Sequence, residues 1–198
     1  MIQISLVCGM DEAGRGPLAG PVSAAAVILP SDFPIDLLND SKKLSEKKRL
    51  TLENMIKERS CWGVALIDHK TIDKINILQA SLLAMKNAYE IMESKLASFC
   101  EQEFGLEFTP TIKAIVDGKF CPDVPVACTA LPKADASVPE VMAASILAKN
   151  YRDRIMVSYD AQFPEYGYAK HKGYPTAAHI EICRKIGPSP IQRRSFKY

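Results

Sequence analysis

The chain has 198 residues, of which 47% are hydrophobic and 24% are charged, and its formal net charge at pH 7 is +2. This length suits one domain, or one domain with an appendage. No run of about 18 apolar residues occurs, which excludes a membrane-spanning helix and predicts a protein with no membrane partner. The small net charge gives no global sign of nucleic-acid binding, although residues 164–198 hold seven Lys or Arg against two Glu.

The six cysteines show neither a CxxC spacing nor a pairing with histidine at zinc spacing. We therefore expect them to be reduced and mostly buried. The N-terminus has no cationic segment followed by a small-residue cleavage site, and residues 2–10 instead resemble a first strand. These features predict a cytoplasmic protein.

Apolar runs bounded by turn residues predict five strands, at residues 2–10, 21–29, 61–67, 111–116 and 124–129. Helical spacing predicts helices at residues 46–59, with Ser45 as N-cap, and at 71–75, 77–100, 139–159 and 176–185. The tight connection between the first two strands predicts that they pair antiparallel. Strands that alternate with helices predict an α/β layer fold.

A carboxylate pair and a glycine-flanked arginine follow the first predicted strand. Asp11 and Glu12 are either solvated loop residues or functional groups at the end of that strand. Gly14 and Gly16 tolerate positive φ and let backbone N–H groups approach a ligand closely, while Arg15 supplies a fork-shaped cation. This combination suits a phosphate or a ribose.

Two more carboxylates occupy comparable positions, Asp117 after the fourth predicted strand and Asp135 before a predicted helix. Ligands of α/β sheets bind outside the strand ends, so these residues can meet in space with Asp11 and Glu12. Clustered carboxylates repel one another unless divalent cations neutralise them. Oxygen-only ligands favour Mg²⁺ or Mn²⁺, and two such ions can hold the attacking water and the leaving oxygen of a phosphodiester.

The neighbouring positions of Asp11 and Glu12 raise a geometric question. Adjacent residues of a strand point to opposite faces, so both side chains reach one metal ion only where the strand ends or bends. We expect Asp11 to be the shared central ligand. Glu12 contributes through its side chain, its backbone carbonyl or water, or by orienting the site.

Six ordered blocks resemble one family, the bacterial ribonuclease HII family, also called type 2 ribonuclease H. The blocks are DEAGRGPLAGPV at 11–22, NDSKKLS at 39–45, VDG at 116–118, KADASVPEVMAASILAKNYRD at 133–153, HKGYPT at 171–176 and RRSF at 193–196. The resemblance implies a ribonuclease H-like fold, with a mixed central sheet flanked by helices and a C-terminal helical extension. We accordingly expect a catalytic domain at residues 1–160 and a basic extension at 161–198 packed on the same domain.

The resemblance also implies an activity and its site. The implied activity is metal-dependent endonucleolytic hydrolysis of the RNA strand of RNA–DNA hybrids, and nicking 5′ to single ribonucleotides in duplex DNA, leaving 5′-phosphate and 3′-hydroxyl ends. It implies a monomer that uses Mg²⁺ or Mn²⁺, with two ions during catalysis. The implied catalytic and metal-binding residues are Asp11, Glu12, Asp117 and Asp135. Gly14, Arg15 and Gly16 are implied to sense the ribose 2′-hydroxyl through backbone atoms, and Tyr174 to pack on the following sugar.

Other basic residues remain open. Lys42 and Lys43 are either phosphate contacts or surface lysines, and the same alternative applies to Lys170, Lys172, Arg193 and Arg194. Tyr174 either stacks on a sugar or pins its loop to the core. The family usually has glycine before the last catalytic aspartate, whereas this chain has Ala134. If that position needs positive φ, alanine would cost about 1–2 kcal/mol of strain.

Two other functions compete with a nuclease. The first is a non-catalytic module that binds RNA–DNA hybrids, for which the Ala134 departure is the only support. The second treats GRGPLAG as a phosphate cradle of a kinase or ATPase, but neither GxxxxGK[ST] nor GxGxxG follows a strand.

Overall fold

The computed structural model describes residues 5–105 and 110–197. In this part of the chain, five strands form a single sheet in the order β3-β2-β1-β4-β5. β2 pairs antiparallel with both β1 and β3, whereas β4 pairs parallel with both β1 and β5, so the sheet is mixed as expected. The strands are β1 (Ser5–Ala13), β2 (Val22–Ile28), β3 (Cys61–Ile67), β4 (Thr111–Asp117) and β5 (Ala127–Leu131).

Helices cover both faces of the sheet. α2 packs against one face, over one apolar cluster. α1 and α4 lie together on the other face, over a second apolar cluster. The described helices are α1 (Glu46–Arg59), α2 (His69–Glu93), α3 (Leu96–Phe104), α4 (Pro139–Gln162), α5 (Tyr168–His171) and α6 (Ala177–Ile186). Ser45 is the N-cap of α1, and its side chain accepts the Lys48 N–H at 3.3 Å. None of the described helices is long and apolar enough to cross a membrane.

Several predicted boundaries were wrong. The first strand does not end at Met10 but continues to Ala13, because Asp11, Glu12 and Ala13 stay paired with residues of β2. The single helix predicted for 77–100 is two helices, since Ser94 and Lys95 form a turn between Glu93 and Leu96. The predicted break before residue 77 is present, because Asn76 has φ 66° inside α2. Predicted strand residues 2–4 lie outside the described residues.

The C-terminal segment packs against α4 and against residues 14–21, here called the glycine loop. A third apolar cluster joins the two, with Ala19 from the loop, Met156 from α4 and Tyr168 from the C-terminal segment. Backbone hydrogen bonds add to this packing, from the Leu18 N–H to Gly173 at 2.8 Å and from the Arg193 N–H to Leu18 at 2.8 Å. The conformation of the loop between β1 and β2 therefore depends on contacts with the C-terminal segment.

The six cysteines, all of which lie among the described residues, form no disulfide, as expected. Four are buried, Cys128 is half-buried and Cys121 is exposed.

Candidate active site

Two aspartates emerge side by side from the centre of the sheet. β1 and β4 run parallel, and Met10 and Val116 are their last registered pair, so Asp11 and Asp117 follow next to each other. Met10 and Val116 are buried in the apolar cluster beneath α2. Because side chains alternate along a strand, Asp11 and Asp117 point to the opposite face, toward α4.

Asp135 reaches the same place from the loop that precedes α4. It lies in a short 3-10 turn, Ala134–Ala136, and is almost completely buried. The Ala134 N–H donates to the Asp117 carboxylate at 2.9 Å, which ties this turn to the end of β4. Carboxylate oxygens of Asp11, Asp117 and Asp135 lie within 4.8 Å of one another. Three of the four predicted carboxylates are thus brought together.

This proximity is electrostatically costly. Burial raises the pKa of Asp11 well above its usual range, and the charges of Glu12 and Asp117 raise it further, while a hydrogen bond from Ser145 opposes the change. Burial and the charge of Asp135 also raise the pKa of Asp117. A divalent cation would relieve this repulsion, and buried carboxylate oxygens are the ligands that Mg²⁺ and Mn²⁺ prefer. The residues present therefore fit such an ion.

Glu12 lies outside this three-carboxylate group. It pairs with Ala24 of β2, whose side chain belongs to the cluster beneath α2, so Glu12 points to the face opposite Asp11. Its carboxylate lies 3.5 Å from a guanidinium nitrogen of Arg15. Burial raises the pKa of Glu12, Arg15 opposes this change and Asp117 adds to it, so Glu12 still senses the acidic group. A part for Glu12 in metal binding stays a prediction.

Lys42 is the cationic neighbour of the acidic group. Its ammonium nitrogen lies 3.1 Å from an Asp135 carboxylate oxygen, although 74% of the Lys42 side chain is exposed. The adjoining Ser41 hydroxyl is hydrogen-bonded to the Ser145 hydroxyl of α4 at 2.8 Å, which holds this segment against the site. Lys43 is exposed next to it.

The glycine loop runs directly from the end of β1. Gly14 has φ 100°, and a side chain there would meet the Arg152 side chain at 2.0 Å. Gly16 has no such restriction, but a Cβ built on it would lie 3.7 Å from the Tyr174 ring. Tyr174 is 39% exposed, and its ring faces the Arg152 guanidinium at 5.8 Å. The tyrosine therefore lines the loop and keeps an exposed ring face.

Comparison with known proteins decides which chemistry this arrangement serves. The family model described as Ribonuclease HII matches residues 8–198. The chain belongs to the ribonuclease HII family. It is 55% identical to a ribonuclease HII of Treponema denticola, with 96% of this chain and 98% of the relative covered. It is 49% identical to a ribonuclease HII of Dechloromonas aromatica, with 99% and 93% covered.

A solved structure supports the same family. The ribonuclease H2 of Pyrococcus horikoshii is 27% identical, has a TM-score of 0.69, and is matched over 97% of this chain and 94% of its own. The five-stranded mixed sheet with helices on both faces is thus a ribonuclease H-like fold. The protein is a ribonuclease H endonuclease of a family that depends on divalent metal ions.

The alanine that departs from the ribonuclease HII pattern is unstrained. The positive φ of this turn belongs to Lys133, at 65°, and Ala134 is not among the described residues with positive φ. Ala134 is fully buried and its N–H serves Asp117. The departure therefore lends no support to a ribonuclease HII that has lost turnover.

Two arginines have a role that sequence reasoning did not assign. Arg152 and Arg193 are both fully buried, and their side-chain hydrogen bonds go to backbone carbonyls of the glycine loop and of Lys172. Arg193 is thus neither a phosphate contact nor a surface residue. No local signal identifies this role, because it depends on contacts with residues more than 100 positions away in sequence.

Two histidines, His171 and His179, support the Tyr174 segment. The rings of His171 and His179 are stacked with centroids 4.4 Å apart. A ring nitrogen of His179 is hydrogen-bonded to the Tyr174 carbonyl at 2.9 Å, and His171 accepts the Gly173 N–H at 3.1 Å. They hold the backbone on which Tyr174 is presented.

Proposed function

We propose that this ribonuclease HII hydrolyses the RNA strand of RNA–DNA hybrids and nicks duplex DNA on the 5′ side of single ribonucleotides. The observation that carries the proposal is a group of three aspartates, of which Asp11 and Asp135 are buried and Asp117 is half-buried, beside a loop in which Gly16 is exposed. The acidic group suits phosphodiester hydrolysis, and the loop suits the inspection of a sugar. The products are a 3′-hydroxyl and a 5′-phosphate.

Asp11, Asp117 and Asp135 are the proposed ligands of Mg²⁺ or Mn²⁺, with two ions bound during catalysis. Bound metal supplies Lewis-acid activation of water and stabilises the leaving oxygen. Asp11, on the central strand β1, is the proposed shared ligand. Glu12 is the proposed fourth participant, through water or its backbone carbonyl, because its side chain leaves the opposite face of β1.

Gly14, Arg15 and Gly16 are proposed to recognise the ribose. The 2′-hydroxyl is both a donor and an acceptor, and it alone distinguishes RNA from DNA at a given position. Backbone without bulky side chains can approach it closely. The loop directly follows β1, so a sugar bound there would place its phosphate near the acidic group.

Lys42, Lys43 and Tyr174 are proposed to position the duplex. The exposed Lys42 ammonium lies against the acidic group, and Lys43 is its exposed neighbour in sequence, so both can donate hydrogen bonds to a phosphate of the duplex. The exposed ring of Tyr174 lies beside Gly16 and suits packing on the neighbouring sugar. We also propose a monomer in the cytoplasm, in which residues 161–198 complete the catalytic unit of residues 1–160. Packing of Tyr168 from the C-terminal segment with Ala19 and Met156 supports a single catalytic unit.

The experiment is a cleavage assay on two labelled duplexes of the same sequence, one of which holds a single ribonucleotide. With Mg²⁺ or Mn²⁺, the protein should cut only the ribonucleotide strand, 5′ to the ribonucleotide, and EDTA should stop the reaction. Cutting of the all-DNA duplex at a similar rate would refute the proposed ribose recognition. No cutting of either duplex, or of a continuous hybrid, would refute the proposed activity.

A further inference from the structure

Arg193 binds the interior side of the glycine loop. Its side chain is fully buried, yet the guanidinium donates five hydrogen bonds of 2.7–3.1 Å. All five acceptors are backbone carbonyl oxygens of the loop. They belong to Gly14, Arg15, Pro17, Gly20 and Pro21.

These contacts fix the direction of two peptide groups. The described peptide bonds are all trans, and in a trans peptide the carbonyl of one residue and the N–H of the next point in opposite directions. Arg193 holds the carbonyls of Gly14 and Arg15 at 2.7 and 3.1 Å, so the N–H groups of Arg15 and Gly16 point away from it. Among the described contacts, neither N–H is donated to a protein acceptor. Both are oriented outward and free to bind a ligand.

A second buried arginine reinforces the same loop from α4. Arg152 donates to the carbonyls of Ala19 and Pro21 at 3.2 and 2.9 Å, and to that of Lys172 at 3.0 Å. Burial and the neighbouring Arg152 charge lower the pKa of Arg193 to about 9, which leaves the guanidinium protonated at neutral pH. Burying two adjacent cations costs free energy through desolvation and repulsion. The hydrogen bonds that Arg152 and Arg193 donate to the loop carbonyls offset this cost, and they hold the loop in one conformation.

The segment that carries Arg193 is itself fastened to α2. The Asp73 carboxylate accepts the backbone N–H groups of Arg194 and Ser195 at 2.8 and 2.9 Å, and the Ser195 hydroxyl at 2.6 Å. A surface carboxylate of α2 thus fixes the two residues that follow Arg193. The position of the guanidinium depends on this attachment as well as on the loop.

We propose that Arg193 is a positioning residue that sets ribose specificity by orienting the Arg15 and Gly16 N–H groups. The inference rests on the proposed function, in which this loop reads the 2′-hydroxyl. A loop with glycines at positions 14 and 16 has many accessible conformations, and the five-donor fork of arginine selects one of them. Lysine keeps the charge but cannot reproduce the fork.

The test compares Arg193→Lys with the wild type by the equilibrium affinity for two duplexes. The duplexes share one sequence, one of them has a single ribonucleotide, and EDTA prevents cleavage. The readout is the ratio of the all-DNA Kd to the ribonucleotide-duplex Kd. We expect this ratio to fall about tenfold in the variant, since hydrogen bonds that orient the reading groups are lost, while the all-DNA Kd changes less than twofold.

Arg154→Lys is the matched control, because Arg154 also loses a bidentate contact, but to Glu53 rather than to the glycine loop. Its ratio should equal that of the wild type. Asp73→Asn serves as the milder second variant, and its ratio should fall severalfold even if Arg193→Lys does not fold. An unchanged ratio in a folded Arg193→Lys protein, or in Asp73→Asn where only that variant folds, would overturn the inference.

Two further outcomes separate the inference from the function on which it rests. If Arg193→Lys weakens both duplexes equally, Arg193 acts on general binding and the proposed positioning role is wrong. If the wild type itself shows a ratio of one, and also cuts the all-DNA duplex, the proposed ribose reading fails before any variant is considered.

Discussion

The ammonium nitrogen of Lys42 lies 3.1 Å from the carboxylate of Asp135, and this ion pair joins the 39–45 segment to the acidic group. The two partners differ in burial, because the Asp135 side chain is 9% exposed and that of Lys42 is 74% exposed. An ion pair with one solvated partner contributes little to stability and gives way readily to competing charges. Lys42 therefore neutralises Asp135 only until a metal ion or a phosphate competes.

Replacement of Lys42 by Met should separate the effect of this lysine on metal binding from its effect on phosphate binding. Without nucleic acid, the affinity for Mn²⁺ should rise roughly twofold to fivefold, because a like charge near the site is removed. The affinity for the hybrid should fall at low salt, and its salt dependence should become weaker by about one released counterion. Titration calorimetry with Mn²⁺ and hybrid binding at several salt concentrations measure both.

Lys47→Met is the control for the loss of one positive charge from the same region, since Lys47 is exposed on the first turn of α1. It should leave the Mn²⁺ affinity unchanged. Equal effects of the two substitutions on Mn²⁺ binding would show that Lys42 acts only through the overall charge.

Replacement of Asp117 by Asn should lower the cleavage rate by about 10²–10³-fold or more, because a charged ligand of the proposed metal site is lost. In EDTA the variant should melt roughly 2–4 °C above the wild type, since one of three mutually repelling carboxylates is removed. The rise in melting temperature that Mg²⁺ causes in the wild type should be lost. Asp123→Asn, which removes an exposed carboxylate paired with Lys86, should change none of these three properties.

Sequence patterns predicted the three aspartates because their positions depend on local features, namely the ends of apolar strands and the start of a helix. They did not settle Glu12, because the direction of a side chain depends on where the strand ends. Pairing with β2 extends β1 to Ala13 and turns Glu12 to the other face. The role of Arg193 could not be predicted either, since its partners lie 172–179 residues away in sequence.

The metal-free wild type should lose stability relative to Asp117→Asn as the pH rises from about 4 to about 7. The folded state raises the pKa of Asp11 and Asp117, so these groups stabilise the fold while protonated, and this stability is lost as the pH rises through the raised values. Because the variant lacks one of the two groups, the difference in melting temperature should grow across this range. With saturating Mg²⁺, the wild type should melt no lower than the variant at either end of this pH range.

Scanning calorimetry at a series of pH values, with EDTA or with Mg²⁺, measures this difference. The comparison with Asp117→Asn matters because other carboxylates, such as Asp73, have a lowered pKa, and their contribution to stability increases as the pH rises. A difference in melting temperature that is constant between pH 4 and 7 would contradict the raised pKa of the acidic group.

Glu53 should be the carboxylate on which the packing of α1 against α4 depends most. It is 2% exposed, and it accepts two hydrogen bonds of 2.7 Å from Arg154 and one of 2.9 Å from Asn150. Replacement by Ala removes this acceptor and should lower the free energy of unfolding by about 1–3 kcal/mol, because the Arg154 side chain is 47% exposed and can be solvated, and Asn150 also donates to the Arg49 carbonyl. Urea unfolding followed by circular dichroism measures the change, and Glu58→Ala, at an exposed site of the same helix, should cost less than about 0.5 kcal/mol. Since Glu53 belongs to a network separate from the three aspartates, the folded variant should bind Mn²⁺ with wild-type affinity. A loss below about 1 kcal/mol would show that water replaces the carboxylate and that the network contributes little.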